Sequence, residues 1–382
     1  LRVTGEWLTN PATQAVCAAL TGAGHQALFV GGCVRNALLG EAVGDIDIAT
    51  DARPEAVTVL AETAGFRAVP TGLDHGTVTV IAGGVAHEVT TFRRDVATDG
   101  RHAVVAFASD VAEDAARRDF TMNALYATAE GAVIDPLGGL PDLLARRVRF
   151  VGDPDARITE DYLRILRFFR FHAVYGDVAA GLDAEGLAAC AAHAAGIDTL
   201  SRERVGSEMR KLLAARDPAP AVAAMAQAGV LARVLPGADA RALPVLVHLE
   251  GGMPPRWPRR LAVLGGADAT AQLRLSRVEA TEQALIRAGI EGMQGAGELG
   301  YRHGTALAAD IILTRAALLE LLPPPGWEAD AAHGAASRFP VRAADLPGLG
   351  GPALGARLRA MEAAWIGSGF ALTRGELLSL PG

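Results

Sequence analysis

The sequence predicts an α/β domain built on a small mixed sheet with helices over its first third, followed by an all-α remainder. Three observations carry this. Short runs of β-branched residues punctuated by glycines occur before about residue 145, and beyond it apolar residues recur at three-to-four-residue spacing. Hydrophobic residues make up 50% of the chain and aromatics only 5%, so the apolar content is mostly Ala, Val and Leu, which suits helices packed through small side chains. At 382 residues the chain exceeds what one hydrophobic core usually organises, so two or three domains or helical subdomains are expected.

The elements follow in order. Ala27 to Val30 is an apolar strand that stops at Gly31-Gly32, and Val34 to Leu39 is a short helix closed by Gly40. A second strand, Asp45 to Ala49, ends at Thr50. Pro54 opens a helix to about Ala64, since proline is tolerated in a first helical turn. Gly76 to Ile81 and Ala86 to Phe92 are two β-branched runs separated by Gly83-Gly84. Arg93 to Asp110 is polar, carries Arg93, Arg94, Arg101 and His102, shows only a weak strand signal around Val104 to Phe107, and is expected to be a mobile loop. Arg118 to Ala127 is expected to be an apolar helix, and Asp135 to Leu143 a turn into another element. Ile158 to Tyr175, Arg204 to Ala215 and Ala219 to Ala228 have helical periodicity, with proline-rich breaks at Met253 to Pro258 and Leu322 to Gly326.

The net charge of -7 argues at first against a nucleic-acid partner, because phosphate contacts need Lys and Arg. Net charge is a sum, however. Lys211 is the only lysine, so nearly every positive charge is a guanidinium, the group that holds phosphates and base edges in a planar fork. Cys17, Cys33 and Cys190 fit neither a disulfide framework nor CxxC metal spacing, which points to a reducing compartment. No apolar run reaches roughly 18 residues and the first ten residues lack a basic region before a hydrophobic one, so a soluble cytoplasmic protein without a membrane partner is expected. The start at Leu1 suggests that an initiating Met and a few residues are missing.

The chemistry concentrates in FVGGCVRNALLG and the DIDIAT that follows. Strand residues at i and i+2 share a face, so Asp45 and Asp47 point the same way and can hold hard cations together. Glycines between a strand and a helix let backbone N–H groups approach a phosphate, and Arg35 can add charge to that cradle. A dinucleotide fold would need GxGxxG, whereas the segment reads G-G-C-V-R-N, and no G-K-[ST] of a Walker loop occurs. Glu88, in HEVTTFR on a neighbouring strand, supplies a third carboxylate. Phosphoryl or nucleotidyl transfer through two metal ions wants such a trio.

The order GGxVR, LLG, DxD, EVTTFR, RRDFTMNAL, DPLGG and EDYLRILRFFRF resembles the class II tRNA nucleotidyltransferase and bacterial poly(A) polymerase family from about Phe29 to Tyr175, and more loosely through Ser201 to Leu213. The resemblance implies a nucleotidyltransferase head over 1–145, a helical neck over 146–215 that selects the nucleotide, and a helical body and tail over 216–382 that bind tRNA. By motif, Asp45 and Asp47 would be catalytic metal ligands and Glu88 the third catalytic carboxylate. Gly31, Gly32 and Arg35 would contact the triphosphate, and Arg118, Asp119 and Asn123 the sugar and phosphates. Asp161, Arg164, Arg167 and Arg170 would form the nucleotide-selecting face, supported by Glu203 and Arg204 from the next helix. The family usually has an acidic residue where this chain has Asn36, which can still accept a hydrogen bond from Arg35 or the backbone but without charge. No HD dipeptide occurs, so no phosphohydrolase domain is expected.

These motifs imply CCA addition to the 3′ end of tRNA from CTP and ATP with Mg²⁺ at a two-metal site. Bacterial poly(A) polymerase or A-only addition is the alternative, and a non-catalytic RNA-binding protein on the same scaffold is a minor one. DIDIATDARPE and the lack of a basic C-terminal extension favour CCA addition. Asp161, acceptor-only, and Arg164, donor-only, lie at i and i+3 on the expected helix, where together they match the edge that cytosine and adenine share and that uracil and guanine invert.

Overall fold

The computed structural model describes residues 1–72, 76–99 and 102–381, with the backbone alone for 95–99 and 102–105. The chain divides into two compact units, Leu1–Val234 and Leu235–Gly382, so the regions expected at 1–145 and 146–215 share the first unit. Among the described residues no helix is long and apolar enough to cross a membrane.

The first unit runs α1 (Glu6–Thr9), α2 (Pro11–Thr21), β1 (Leu28–Val30), α3 (Gly32–Leu39), β2 (Ile46–Thr50), α4 (Pro54–Thr63), β3 (Arg67–Gly72), β4 (Thr77–Ala82), β5 (Val85–Thr91), β6 (Arg93–Asp99), β7 (His102–Phe107), α5 (Val111–Ala116), β8 (Tyr126–Ala127), β9 (Val133–Ile134) and α6 (Leu140–Leu144). The main sheet has the order β3-β4-β5-β2-β1-β8-β9 and is mixed, since β2 pairs parallel with β5 while its other pairings are antiparallel. Period-2 alternation fixes its faces. On β5, His87, Val89 and Thr91 are buried and Ala86 and Glu88 are exposed; on β2, Ile46 and Ile48 are buried and Asp47 is half-buried. The buried face is covered by α2 and α4, whose Val16, Leu20, Val57 and Ala61 meet Val80 and Val89. The opposite face is left for Asp47 and Glu88.

Two expectations about this unit are corrected. Arg93 to Asp110 is a hairpin of β6 and β7 rather than a loop, pairing Arg93 with Phe107 and Asp99 with His102. The signal lay in two β-branched segments separated by Gly100-Arg101, a connection of hairpin length opening on glycine; Gly100 and Arg101 themselves lie outside the described residues. Arg118 to Ala127 is not a helix but a 3₁₀ turn, Thr121–Asn123, followed by β8. Phe120, Met122, Ala124, Leu125, Tyr126 and Ala127 are all fully buried, and a short segment buried on every side has no periodicity to separate helix from strand. The strand β3 and the first two helices were not anticipated.

The helical part of this unit consists of α7 (Pro154–Glu160), α8 (Leu163–Tyr175), α9 (Ala184–Ala192), α10 (Arg202–Leu213), α11 (Ala219–Gln227) and α12 (Val230–Val234). The helix expected over Ile158 to Tyr175 is therefore two. Asp161 between them is extended, with φ -155°, and its carboxylate accepts from the Leu163 N–H at 3.1 Å, a local bond that competes with helix continuation and starts α8 afresh. Head and helices are joined by an aromatic cluster. Phe120 lies 4.9 Å from Phe171 between ring centroids, and Phe150 stacks on Phe168 at 5.4 Å.

In the second unit, α13 (Leu243–Leu249), α14 (Trp257–Leu264), α15 (Ala269–Gln272), α16 (Arg277–Glu291), α17 (Ala296–Leu319), α18 (Trp327–Ala336), α19 (Gly351–Gly367) and α20 (Arg374–Leu378) complete the all-helical region. Met361 and Trp365 centre one core there with Phe370 and Leu377. A second feature is ionic: buried Arg260 pairs with buried Glu250 at 2.7 Å, and Arg256 with fully buried Asp310 at 2.8 Å.

Phe168 is fully buried between head and helix, so Phe168→Ala leaves a cavity as well as losing transfer energy. Denaturant unfolding should show the first unit destabilised by about 3 to 5 kcal/mol; an unchanged midpoint would mean that the aromatic junction contributes little.

Candidate active site

The head places its acidic residues through strand register. Asp47 and Glu88 are paired positions on parallel β2 and β5 and so share one face, while Asp45 stands one residue ahead of β2, exposed. The Asp47 carboxyl is pushed up to about 6, first by burial and then by the charges of Glu88 and Asp45, against the pull of Arg118 and Arg35. Among the described residues, none of these three carboxylates forms an ion pair. A crowded, oxygen-only set without an ion-pair partner suits a hard divalent cation. Among the described residues no group of three His, Cys, Asp or Glu side chains is placed to hold a metal ion by itself; magnesium is commonly held by one or two carboxylates with water and substrate phosphates.

Beside the carboxylates, β1 enters α3 through Gly31, whose φ of 68° and ψ of -119° favour glycine. A Cβ there would stand 3.4 Å from Nη1 of Arg118, so the glycine keeps that approach open. No side chain caps α3, which leaves its first-turn N–H groups without a side-chain acceptor, the arrangement that suits an anion. Arg118 is aimed by residues the sequence did not point to: its Nη2 donates to Asp114 at 2.9 Å and its Nε to the Tyr126 hydroxyl at 3.0 Å, while that hydroxyl donates to Asp114 at 2.7 Å. Burial works against the Asp114 carboxylate, but Arg118 and Tyr126 outweigh it and hold it below the usual range.

Arg35 is buried and surrounded by neutral partners. Its Nε and Nη2 donate to Asn36 Oδ1 at 3.1 and 2.9 Å, Nη1 to Asn123 Oδ1 at 2.5 Å, and Nη2 also to the Tyr175 hydroxyl at 2.7 Å. Asn36 in turn donates to the Ala42 carbonyl at 2.8 Å, so it accepts from Arg35 as expected and is fixed by the backbone. Burial lowers the guanidinium's affinity for its proton, and Tyr175, followed by Asp119, only partly restores it.

The residues expected to read the base are divided. Arg167 and Arg170 come together around Phe171: Arg167 chelates Asp119 at 2.8 and 2.5 Å, Arg170 binds Glu208 at 2.5 Å, and both guanidinium carbons lie over the Phe171 ring at 5.3 and 4.6 Å. Asp119 is nearly buried and also accepts from Asn123 at 2.9 Å; Arg167 and Asn123 more than offset its burial and keep it well ionised. Asp161 and Arg164 do not form a common edge. The break before α8 turns Asp161 to Arg204, 2.7 Å away, whereas Arg164 binds Glu160 at 2.5 Å and the Arg157 and Arg117 carbonyls at 2.8 and 3.3 Å.

Arg204 thus pairs with Asp161, and Arg170 of the arginine stripe is bound by Glu208, an acid that sequence reasoning did not name, while Glu203 is exposed. Its signal was available: Val205, Glu208, Met209 and Leu212 form the buried stripe of α10, and a glutamate on a buried stripe must find cations. Glu160, Tyr175, Asp114 and Tyr126 were likewise missed as partners.

Comparison with known proteins places these features in context. Residues 27–149 match the family described as the poly A polymerase head domain, and 182–241 that described as a probable RNA- and SrmB-binding site of polymerase A. The chain is 43% identical over 190 residues to human mitochondrial CCA tRNA nucleotidyltransferase 1, covering 50% of this chain and 44% of that one. It is 42% identical over 216 residues to the CCA-adding enzyme of Geobacillus thermodenitrificans, covering 56% and 52%. The matched region thus spans about half the length of these curated relatives. Among solved structures, the Bacillus stearothermophilus CCA-adding enzyme in complex with CTP superposes with a TM-score of 0.73 at 28% identity, covering 94% of this chain and 92% of that one. The Thermotoga maritima CCA-adding enzyme complexed with tRNA shares the fold, with a TM-score of 0.73 at 18% identity and coverage of 99% and 97%.

Removing one member of a buried ionic cluster leaves uncompensated charge, which costs about 3 to 5 kcal/mol. Glu208→Ala should therefore destabilise the first unit toward the lower end of that range, about 3 kcal/mol, and Glu208→Gln by less, in denaturant titrations. Equal unfolding midpoints for Glu208→Ala and the unaltered protein would show that Arg170 does not need this acid.

Proposed function

Because the chain belongs to the class II CCA-adding enzyme and poly(A) polymerase family, with its head and its RNA-binding region, we propose that it adds CCA to the 3′ end of tRNA from CTP and ATP. The observation that carries this is the register of Asp47 with Glu88 on the open sheet face, with Asp45 beside them and the Gly31-Gly32 turn, Arg118 and Arg35 alongside. In the reaction the terminal 3′-hydroxyl oxygen bonds to the α-phosphorus as the bond to the β-phosphate breaks, pyrophosphate leaves with that electron pair, and the hydroxyl proton is released. Asp45 and Asp47, with Glu88 as third carboxylate, would hold magnesium at a two-metal site, where it supplies charge to the attacking and leaving oxygens.

The rest is done by the chain itself. The first N–H groups of α3 and the guanidinium groups of Arg35 and Arg118 would grip the triphosphate, orienting the α-phosphorus before reaction. Asp119 and Asn123 hold Arg167 and Arg35 in place, beside the contact to sugar and phosphates that the motif implies for them. Base choice falls to Asp161 and Arg164 at the entry to α8. Reading a base there exchanges the bonds to Arg204 and Glu160 for the paired acceptor and donor that cytosine and adenine satisfy together.

The direct test is incubation with tRNA lacking its 3′-terminal CCA and with CTP and ATP together, followed by reading the product ends. CCA supports the proposal; oligo(A), addition of A alone, or no product overturns it. Single-turnover transfer should fall by well over roughly tenfold in Asp45→Ala and in Asp47→Ala with the fold retained; activity kept within that margin refutes the metal assignment.

An unpaired buried polar group costs about 1 to 3 kcal/mol, so two mismatches can reject a base by orders of magnitude. Asp161→Ala should accordingly narrow the preference for CTP and ATP over UTP and GTP in competition assays. Full preference at undiminished activity would move selection elsewhere.

A further inference from the structure

We infer that Tyr175, the last residue of α8, is a positioning residue for the nucleotide's triphosphate: its hydroxyl and ring hold the Arg35 guanidinium beneath the glycine turn, making the phosphate grip depend on the docking of the helix that carries the selection residues. This rests on the proposed triphosphate role of Arg35.

The geometry is specific. Nη2 of Arg35 donates to the Tyr175 hydroxyl at 2.7 Å, and its Cζ lies 4.0 Å from the Tyr175 ring centroid. A Cβ on Gly32 would meet that same Nη2 at 3.8 Å, so the held end of the guanidinium lies beside the α3 N-terminus. Asn36 and Asn123 fix the remaining directions from within the head, leaving Tyr175 as the hydrogen-bonding contact from α8, where the Phe171 ring lies 5.2 Å away as a second, apolar neighbour. None of the three is a carboxylate. Tyr175 orients Arg35 without neutralising it, and a cation held between neutral partners and an aromatic face keeps its full attraction for an anion.

Position on α8 supplies the coupling. The helix begins beside Asp161, carries Arg164, Arg167 and Arg170 along its length, and ends on Tyr175, whose ring also packs against Phe171 at 5.4 Å. A shift of α8 on engaging a base would carry Tyr175 with it and move Arg35 relative to the glycine turn.

The test uses the full chain in four forms: unaltered, Arg35→Ala, Tyr175→Leu, which keeps apolar bulk against Phe171 but removes hydroxyl and π face, and Tyr175→Phe, which keeps the face. Calorimetry with magnesium and inorganic triphosphate as the probe should show affinity weakened roughly tenfold in Tyr175→Leu and about threefold in Tyr175→Phe. In tRNA extension, Tyr175→Leu should raise KM for CTP and ATP in parallel, also roughly tenfold, with kcat changed by less than about threefold. Absence of triphosphate binding by the unaltered protein, or its persistence in Arg35→Ala, would overturn the role of Arg35 and this inference with it. Loss of binding in Arg35→Ala with Tyr175→Leu binding like the unaltered protein would overturn the inference alone. So would a fall in kcat at constant KM, which marks a merely structural residue. Should Tyr175→Leu fail to fold by thermal melting, Tyr175→Phe decides: triphosphate affinity equal to that of the unaltered protein overturns the inference.

Discussion

Three guanidinium groups crowd one phenyl ring. Arg35, Arg167 and Arg170 place their Cζ atoms 5.2, 5.3 and 4.6 Å from the centroid of Phe171, at the junction of the sheet and the helices that follow it. At separations on the order of 7 Å and an effective dielectric near 20, each pair of like charges repels by roughly 2 kcal/mol, more than a cation–π contact returns. The arrangement therefore stands on Asp119 from the head and Glu208 from α10, each within about 3 Å of a guanidinium nitrogen, where attraction at the same dielectric reaches about 5 kcal/mol. Phe171 shields the cluster, and Phe120, Phe150 and Phe168 extend that shield into the core.

This constraint explains why residues a motif would assign to substrate are tied up with one another. Asp119 belongs to the head by sequence but spends one oxygen on Arg167 of α8 and the other on Asn123 and the Phe120 N–H. Asn123 then reaches Arg35. A continuous run of hydrogen bonds and ion pairs thus passes from α3 through the 3₁₀ turn to α8 and α10, and displacing one member leaves the next with an unpaired buried group. Arg35 beside the glycine turn and Arg167 and Arg170 of α8 are thus held by the same electrostatics.

Much of this was legible in the sequence, for reasons that differ by residue. Asp47 and Glu88 could be placed because strand alternation is strict and one face of each strand is plainly apolar. The glycine pair between strand and helix was equally readable, because the left-handed φ of Gly31 is a local demand. Failures came where tertiary context decides. Arg118 to Ala127 is buried all round, so apolarity was read as helix where the chain makes a turn and a strand. Asp161 looked like one more helical position until its side chain took the Leu163 N–H. Glu208 lay on a stripe whose burial was visible, but its partners sit some forty residues earlier, and helical spacing within one segment cannot reveal a pairing across two.

Asn36 shows what the network is for. The arginines of α8 have carboxylate partners: Arg164 has Glu160, Arg167 has Asp119 and Arg170 has Glu208, so their charge is largely committed to the fold. Arg35 has two asparagines and a tyrosine instead. A carboxylate at position 36 would meet Nε and Nη2 as a bidentate ion pair and satisfy the charge that now stands unpaired in a buried setting. The amide accepts the same two hydrogen bonds and leaves the charge in place. Arg164, Arg167 and Arg170 each have an acid, whereas Arg35, beside the glycine turn, has neutral partners, which under the proposed function would leave its charge to meet an anion.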